Sequence, residues 1–391
     1  MSALTTTRVA IVGAGIGGLT LARILQIRKL TSPLAFKLFE SDANASLRGT
    51  FGGSLDLKLD SGQRALHAAA LHGEFLKLCR PAGGALQIRD HTGKLFLKHE
   101  GSEDDMYNPE IDREQLRSLL IDSLHADTVQ WGHKATAITR DASTGKYAIE
   151  FASGKKEVDF DIVVGADGAW SRVRSLAWPG AAPAYSGVTF LETKANLKDH
   201  PDLLEIIGEG SAVVMGEGKC IMPQMSAFKV LTVYSALRVP EDWSRNSNIA
   251  LAKTDEEKMK LLLDEFAGWD ETMLKFIRVG SKPVMRPIHA LPHDSQPRSK
   301  TDNVVLLGDA AHLMSPFAGA GVNMAMADGA DLADVLVTGK PLEEYEKAMR
   351  VRSNAEAADS ASNLEMFFSD GAAQKLTDFF KSMERYDQPP A

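Results

Sequence analysis

This 391-residue sequence has few cysteines and lacks the strongly basic stretches that bind nucleic acids. The two cysteines, Cys79 and Cys220, lie far apart without metal-type spacing, so we expect packed thiols and no metal site. No apolar run approaches the ~20 residues of a membrane span, so no membrane partner is expected. The net charge of −8 and the lack of a basic, aromatic-rich stretch argue against a nucleic-acid partner. The polar stretch 1–7 predicts no secretory signal and favours a cytoplasmic protein.

Glycine is well supplied near the N-terminus, where it separates a strand-like run from a helix-like one. The run 8–12 is apolar and of β type, and helical periodicity begins at about residue 16. In such a unit Gly13 permits the tight turn, Gly15 lets the backbone approach a pyrophosphate, and Gly18 lets helix and strand pack closely. The pattern predicts a βαβ dinucleotide-binding unit, with the phosphates at the helix N-terminus.

A second apolar run, 35–39, ends in Glu40, about 20 residues beyond the glycines. An acid at this place binds the ribose diol in dinucleotide-binding folds, although Glu40 alone could be a surface acid. The glycines do not say whether the dinucleotide is FAD or NAD.

Two later stretches bear on that choice. Each has a buried-type strand that ends in a Gly/Asp turn: Asp167-Gly168 in the first and Gly308-Asp309 in the second. The second turn continues into a loop rich in proline and glycine that opens a helix at about Gly321. Such an acid can accept a hydrogen bond from a ribityl or ribose hydroxyl, and the helix N–H groups can face an electron-rich ring oxygen. His312, inside the second stretch, is interpreted as a packing or loop-anchoring residue.

The three motifs, in this order and spacing, resemble those of the single-component (class A) FAD-dependent aromatic hydroxylases. The chain resembles in particular the TetX-type tetracycline-inactivating monooxygenases. The resemblance is carried by FGGSLDL with SGQ, NPEIDREQLRSLLIDSL, GDAAHLMSPFAGAGVN and LEMF, and it spans nearly the whole chain.

The resemblance implies a mixed α/β fold of the p-hydroxybenzoate hydroxylase type. Its parts are a Rossmann-type FAD-binding domain, an inserted β-sheet domain for the substrate and a C-terminal helix that connects the two. We expect the FAD-binding domain at 1–70, 104–180 and 286–340, the substrate domain at 71–103 and 181–285, and the bridging helix at 341–391.

The resemblance also implies which residues contact FAD. Two alternatives stay open: Asp56 could only cap a turn, and Arg113 could be a helix-surface charge. Asp167 could serve neighbouring backbone while its glycine meets the cofactor. The implied FAD-contacting residues are Gly13, Ala14, Gly15, Gly18, Glu40, Arg48, Asp56, Arg113, Asp167, Gly308, Asp309, Pro316, Gly319, Gly321, Val322 and Asn323.

The substrate site is the least specified part of the resemblance. TetX-type enzymes hold tetracycline with a glutamine and an arginine of the substrate domain. Here Glu192 stands at the glutamine, no arginine is found at the second position, and a histidine of the same sheet is absent from 229–235. A tetracycline substrate, and with it antibiotic resistance, is therefore in doubt. The expected pocket residues are Glu192, Met215, Pro316, Phe317, Gly319 and Met366.

The implied reaction starts when NAD(P)H, which we expect to be NADPH, reduces the flavin and leaves. O₂ then adds at flavin C4a, and the hydroperoxide transfers one oxygen atom to a phenolic, enolic or polycyclic small molecule. We expect no catalytic side chain and no metal, because the flavin does this chemistry in a protein, here expected to be a monomer, that orients the reactants. The alternatives are a reductase of the same fold that inserts no oxygen and a non-catalytic flavin-binding protein.

Overall fold

The computed structural model describes residues 6–28, 33–48, 53–292 and 303–386. Its α-helices are α1 (Ile16–Ile27), α2 (Arg64–Ala68), α3 (His72–Phe75), α4 (Arg113–Asp122), α5 (Arg172–Ala177), α6 (Pro201–Ile207), α7 (Trp243–Asn246), α8 (Asn248–Leu251), α9 (Asp255–Glu265), α10 (Glu271–Arg278), α11 (Asp309–His312), α12 (Gly321–Thr338), α13 (Leu342–Phe367) and α14 (Ala372–Tyr386). None of these helices is long and apolar enough to cross a membrane.

The strands alternate with these helices in the first part of the chain and follow one another in the middle. They are β1 (Thr7–Val12), β2 (Leu34–Phe39), β3 (Ser54–Asp56), β4 (Leu86–Asp90), β5 (Leu95–His99), β6 (Glu110–Asp112), β7 (Val129–Gln130), β8 (Ala135–Arg140), β9 (Tyr147–Phe151), β10 (Lys156–Phe160), β11 (Ile162–Gly165), β12 (Ala184–Asn196), β13 (Ser211–Gly216), β14 (Lys219–Met225), β15 (Val230–Arg238), β16 (Ser281–Ala290) and β17 (Val304–Leu306).

The strands that precede the three sequence motifs are neighbours in one parallel sheet. Its order is β17-β11-β1-β2-β7, and every pair is parallel. The strands are apolar because helices cover the sheet, and residues 9–11 at its centre are fully buried. Since parallel strands end at the same edge, Gly13, Glu40, Asp167 and Asp309 come together there. This arrangement confirms the predicted Rossmann-type fold.

Two of the motif glycines are required by packing alone. Gly13 has φ +109°, and a Cβ there would overlap the carbonyl oxygen of Ala166. A Cβ on Gly18, in the first turn of α1, would overlap the carbonyl oxygen of Gly13. Helix α1 can therefore lie against the ends of β1 and β11 only because both positions are glycine.

The middle of the chain forms a seven-stranded sheet in the order β16-β12-β15-β14-β13-β4-β5. Its pairs are antiparallel except for β13 and β4. One face packs on helices α6, α9 and α10, and the other on Phe317 and the last two helices. We propose that this sheet is the substrate domain and that its boundary follows Ala290, where β16 ends, rather than residue 285.

The C-terminal segment contains two helices where the sequence analysis expected one. Helix α13 ends at Phe367, and Gly371 (φ +67°) adopts a left-handed conformation before α14 begins. Helix α13 contacts α12 of the parallel-sheet region, and α14 contacts β4, β13 and β5 of the seven-stranded sheet. The pair of helices thus connects the two sheets.

A buried polar cluster joins β3 to the seven-stranded sheet. The Arg80 guanidinium donates to Ser54 Oγ (2.8 Å), to the Glu110 carboxylate (3.2 Å) and to the Met225 carbonyl (3.1 Å). The Gln224 amide oxygen accepts from the Ser54 N–H at 3.1 Å. Burial raises the pKa of Glu110 to about 7, against the opposing effects of Ser54 and Arg80. The cluster fixes the start of β3 at a set distance from the sheet.

Candidate active site

Glu40 lies directly beside the glycine turn. Its buried carboxylate accepts hydrogen bonds from the Ala14 N–H (2.7 Å) and from the Asp42 N–H (3.0 Å). The interaction brings the end of β2 to the turn after β1, which is the place that the sequence analysis gave to a ribose-binding acid. The position is as expected, and the ribose contact itself stays a prediction.

The N-terminus of α1 has the shape of a phosphate cradle. Its N-cap, Gly15, has an ordinary φ of −72°, makes no side-chain cap, and is followed by no acid in the first turn. A Cβ on Gly15 would meet no described atom closer than the Ala166 carbonyl oxygen at 4.0 Å. The protein itself therefore does not require glycine here, unlike at Gly13 and Gly18. An anion that approaches the helix N–H groups does require it, which fits the pyrophosphate of FAD.

Gly15→Ala should fold with the thermal stability of the wild-type apoprotein but bind FAD at least about tenfold more weakly, because the added methyl group occupies the phosphate space. Gly18→Ala, the matched variant, should lower the melting temperature of the apoprotein itself. The measurements are calorimetric melting without FAD and titration with FAD. Wild-type FAD affinity in Gly15→Ala would refute the cradle.

A second helix N-terminus opens at the same edge. Helix α12 spans 18 residues, has no side-chain cap and no acid in its first turn, and a Cβ on Gly321 would meet nothing within 4 Å. Asp309 at the start of α11 is exposed, and its carboxylate accepts no hydrogen bond from the residues that the structure describes; its backbone carbonyl accepts one from Arg174 at 3.3 Å. The turn between these helices exposes Pro316 and Gly319. An open positive helix end and a carboxylate that accepts no hydrogen bond from the described protein fit the ring and the ribityl chain of a flavin.

Two expected FAD ligands use their side chains on the protein instead. The Asp167 carboxylate accepts from Ser171 Oγ (2.5 Å) and from the Arg172 N–H (2.7 Å), which fastens the start of α5. The Asn323 amide accepts from the Lys58 N–H (2.9 Å) and donates to the Asp56 carbonyl (2.9 Å). Both side chains thus stabilise this edge of the parallel sheet. We expect any contact of these residues with the cofactor to be made by their backbone atoms.

Arg174 was not singled out as a site residue, yet it ties two of the motifs together. It is 2% exposed, and its guanidinium donates to the carbonyls of Ala169 (2.5 Å) and Ala310 (3.1 Å). These carbonyls belong to the turns after β11 and β17. The only feature of the sequence that could have pointed to Arg174 was its position in the first turn of the helix that follows Asp167-Gly168.

The remaining expected FAD ligands lie around the β3 segment. Asp56 faces Gly319, since a Cβ added to Gly319 would lie 3.4 Å from the Asp56 carboxylate. Burial raises the pKa of Asp56. Arg113 begins α4, is exposed, and donates its N–H to the Gly53 carbonyl at 3.3 Å. The side chain of Arg48 lies outside the described part of the chain. Val322 is half-buried in the first turn of α12.

A buried ionic network of His312, Asp328 and Arg352 stabilises the Gly308-Asp309 turn. His312 Nε2 lies 2.6 Å from the Asp328 carboxylate, which also accepts from the Gly308 N–H (3.0 Å) and from the Arg352 guanidinium (2.9 Å). Burial opposes the charge on His312, but the attraction of Asp328 outweighs it and raises the His312 pKa. The pKa of Asp328 is lowered because His312 and Arg352 outweigh its burial. His312 therefore anchors the loop, as the sequence predicted.

Asp328→Asn should destabilise the protein by about 3–5 kcal/mol at pH 6, because it leaves the buried His312 cation without its counter-ion. Arg352 would keep its second carboxylate partner, Asp331. The raised His312 pKa stabilises the folded state fully below pH 6.5, its unfolded value, and this stabilisation is lost as the pH rises through the folded value. The deficit of the variant should therefore shrink between pH 6 and pH 9. Urea unfolding at both pH values measures it.

Asp359→Asn, on the exposed side of α13, is the matched control and should differ from wild type at neither pH. A deficit of Asp328→Asn that grows with pH would show that His312 is not charged in the folded protein.

Aromatic side chains connect the loop to the seven-stranded sheet. The Phe317 ring lies 5.7 Å from Phe190 of β12 and 5.0 Å from Phe367 of α13, both edge to face. Met366 is half-buried at the border of this cluster. Met215 is 1% exposed inside it, so it is a core residue, and its expected role in the pocket stays a prediction.

A polar group lies on the same face of the sheet, between Phe190 and the β3 segment. Glu192 of β12 is 5% exposed and pairs with the Arg286 guanidinium of β16. Tyr234 stands opposite Glu192 in the strand ladder, and a Cβ on Gly53 would lie 2.9 Å from its hydroxyl. The absence of an arginine from the position that the resemblance implies stands, but Arg286 brings a guanidinium to Glu192 from β16, a strand that the sequence analysis did not consider.

Comparison with known proteins agrees with this geometry. The FAD binding domain family model matches residues 111–339. The chain is 30% identical to monooxygenase penA of Penicillium thymicola, over 98% of this chain and 100% of the relative. It belongs to the single-component FAD-dependent monooxygenases.

Solved structures show the same fold. HpxO of Klebsiella pneumoniae, in complex with FAD and uric acid, matches 98% of this chain and 93% of its own with a TM-score of 0.76 at 19% identity. Tetracycline destructase Tet(51) matches 99% of this chain and 100% of its own with a TM-score of 0.71 at 17% identity. The predictions of the fold class and of FAD as the cofactor are confirmed.

Proposed function

We propose that the enzyme uses NADPH and O₂ to insert one oxygen atom into a small phenolic, enolic or polycyclic compound. The observation that carries the proposal is the position of the 316–321 turn, which lies between the open end of α12 and the face of the seven-stranded sheet that carries Phe190 and Glu192. The name of the relative penA supports oxygen insertion, and the uric acid bound by HpxO supports a flat, ring-containing substrate.

Bound FAD supplies the activation of oxygen. The chain's own residues bind and orient the reactants. The α1 N-terminus would hold the phosphates, the Asp309 carboxylate would accept from the ribityl hydroxyls, and the N–H groups at Gly321 would bind the flavin ring. Phe317 and Phe190, packed edge to face, keep water away from one side of the turn. We also propose that the enzyme acts as a monomer.

Tetracycline inactivation is the second candidate, and the likeness in fold to Tet(51) favours it. Glu192 opposes it, because a carboxylate replaces the amide that the resemblance places at this point. One assay separates the candidates.

The FAD-loaded enzyme is mixed with NADPH in air, with and without tetracyclines and substituted phenols, and product masses are taken. We expect at least one phenol to accelerate NADPH loss and to yield a product heavier by one oxygen atom. Repeating the assay with NADH should give slower consumption at equal concentration.

Acceleration without a heavier product would contradict oxygen insertion into that compound and identify an effector. Reduction of a panel member without oxygen insertion would favour the reductase alternative. No response from any compound, with FAD bound, would contradict the proposal and favour a non-catalytic flavin protein.

A further inference from the structure

The Glu192–Arg286 pair lies on the face of the seven-stranded sheet against which the loop between β17 and α12, the flavin loop, packs through Phe317 and Phe190. The Glu192 side chain is only 6% exposed, whereas the Arg286 side chain is 38% exposed. The negative end is therefore fixed deep in the sheet, and the positive end reaches toward the solvent side. A ligand that enters between loop and sheet meets both.

The strand register places this pair on the sheet face that the flavin loop contacts. Phe190 pairs with Arg286, and Glu192 pairs with Tyr234. Because directly opposed residues share a face, all four side chains lie on one side of the sheet. Phe190 contacts Phe317 of the flavin loop, and Tyr234 approaches Gly53 beside β3. The pair thus lies between the two segments expected to border the flavin ring.

The chemistry of the group differs from that of a carboxylate-binding site. Tyr234 stays a neutral hydroxyl, because burial and the nearby Glu192 raise the pKa of Tyr234 to about 12. The charge of Arg286 is already balanced by Glu192. A bound aromatic carboxylate would place a second negative charge beside Glu192, whereas a hydroxyl or amide N–H could donate to its oxygens.

We infer that Glu192, held by Arg286, determines substrate specificity by selecting uncharged aromatic compounds with an O–H or N–H donor over aromatic carboxylates. This inference rests on the proposed function and names its substrate class. Its test is binding, so that it does not depend on turnover.

The probes are two pairs that differ only in a carboxylate and a carboxamide: salicylate with salicylamide, and 4-hydroxybenzoate with 4-hydroxybenzamide. Their dissociation constants are measured by calorimetry on the FAD-loaded enzyme. We expect the amide of at least one pair to bind about tenfold or more tightly than the acid. Glu192→Gln should reverse or abolish this ratio, because it removes the negative charge that repels the bound carboxylate.

Glu192→Asp keeps the negative charge and should therefore retain the preference for the amide over the acid. A purely structural role of Glu192 would not predict that this preference follows the charge at position 192. Glu205→Gln, on exposed α6, is the matched control and should leave the ratio unchanged. FAD content and melting temperature check that each variant folds. If Glu192→Gln does not fold, the wild-type ratios still decide.

Equal or tighter binding of the acids by wild type, or an unchanged ratio in Glu192→Gln, would overturn the inference. The inference would also be overturned if none of the four probes bound to the enzyme. A product heavier by one oxygen atom from another compound in the NADPH assay would then leave the proposed function standing.

Discussion

The alignment of four strand ends at one edge of the parallel sheet is the constraint on which the rest of the structure depends. Two helices begin there, α1 after β1 and α12 after the loop that follows β17, and neither N-terminus has a side-chain cap. Uncapped helix ends leave several N–H groups without partners and a positive partial charge. An anionic, hydrogen-bond-accepting cofactor satisfies both ends at once, and FAD has its phosphates and its ring oxygens in the required order.

The loop between β17 and α12 is held by two kinds of interaction with different physical origins. Below it, the buried network around Asp328 fixes the Gly308 turn electrostatically. Above it, Phe317 packs into aromatic rings from the sheet and from α13. The first interaction belongs to the parallel-sheet region and the second to the sheet that we assign to the substrate. The loop thereby fixes the distance between the two.

Local pattern was enough to predict the elements of the site. The buried runs before Gly13, Asp167 and Gly308 predicted buried strands of parallel type, because apolar residues on both faces of a strand are typical of covered sheets. That these strands are neighbours is shown by the structure. The role of His312 followed from its place inside a packed motif. The fold of the cofactor domain was therefore accessible from sequence alone.

What sequence reasoning missed depended on long-range pairing. Arg286 reaches Glu192 only because β16 joins the edge of the sheet beside β12, 94 positions away in sequence. The Asn323 side chain binds neighbouring backbone, and so does that of Asp167, an alternative that the sequence left open. No pattern tells a polar side chain bound to a ligand from one bound to its own protein. Arg174 was overlooked for the same reason.

The central claim is that the two helix ends hold the two halves of one dinucleotide. Calorimetric titration of the apoprotein with FAD and with FMN tests it most directly, because FMN keeps the flavin ring, the ribityl chain and one phosphate but lacks the adenylate half. We expect FAD to bind at least about 100-fold more tightly, a difference of about 2.7 kcal/mol. Equal affinities for FMN and FAD would contradict the claim, since the second phosphate at the α1 cradle and the ribose at Glu40 would then contribute nothing to binding.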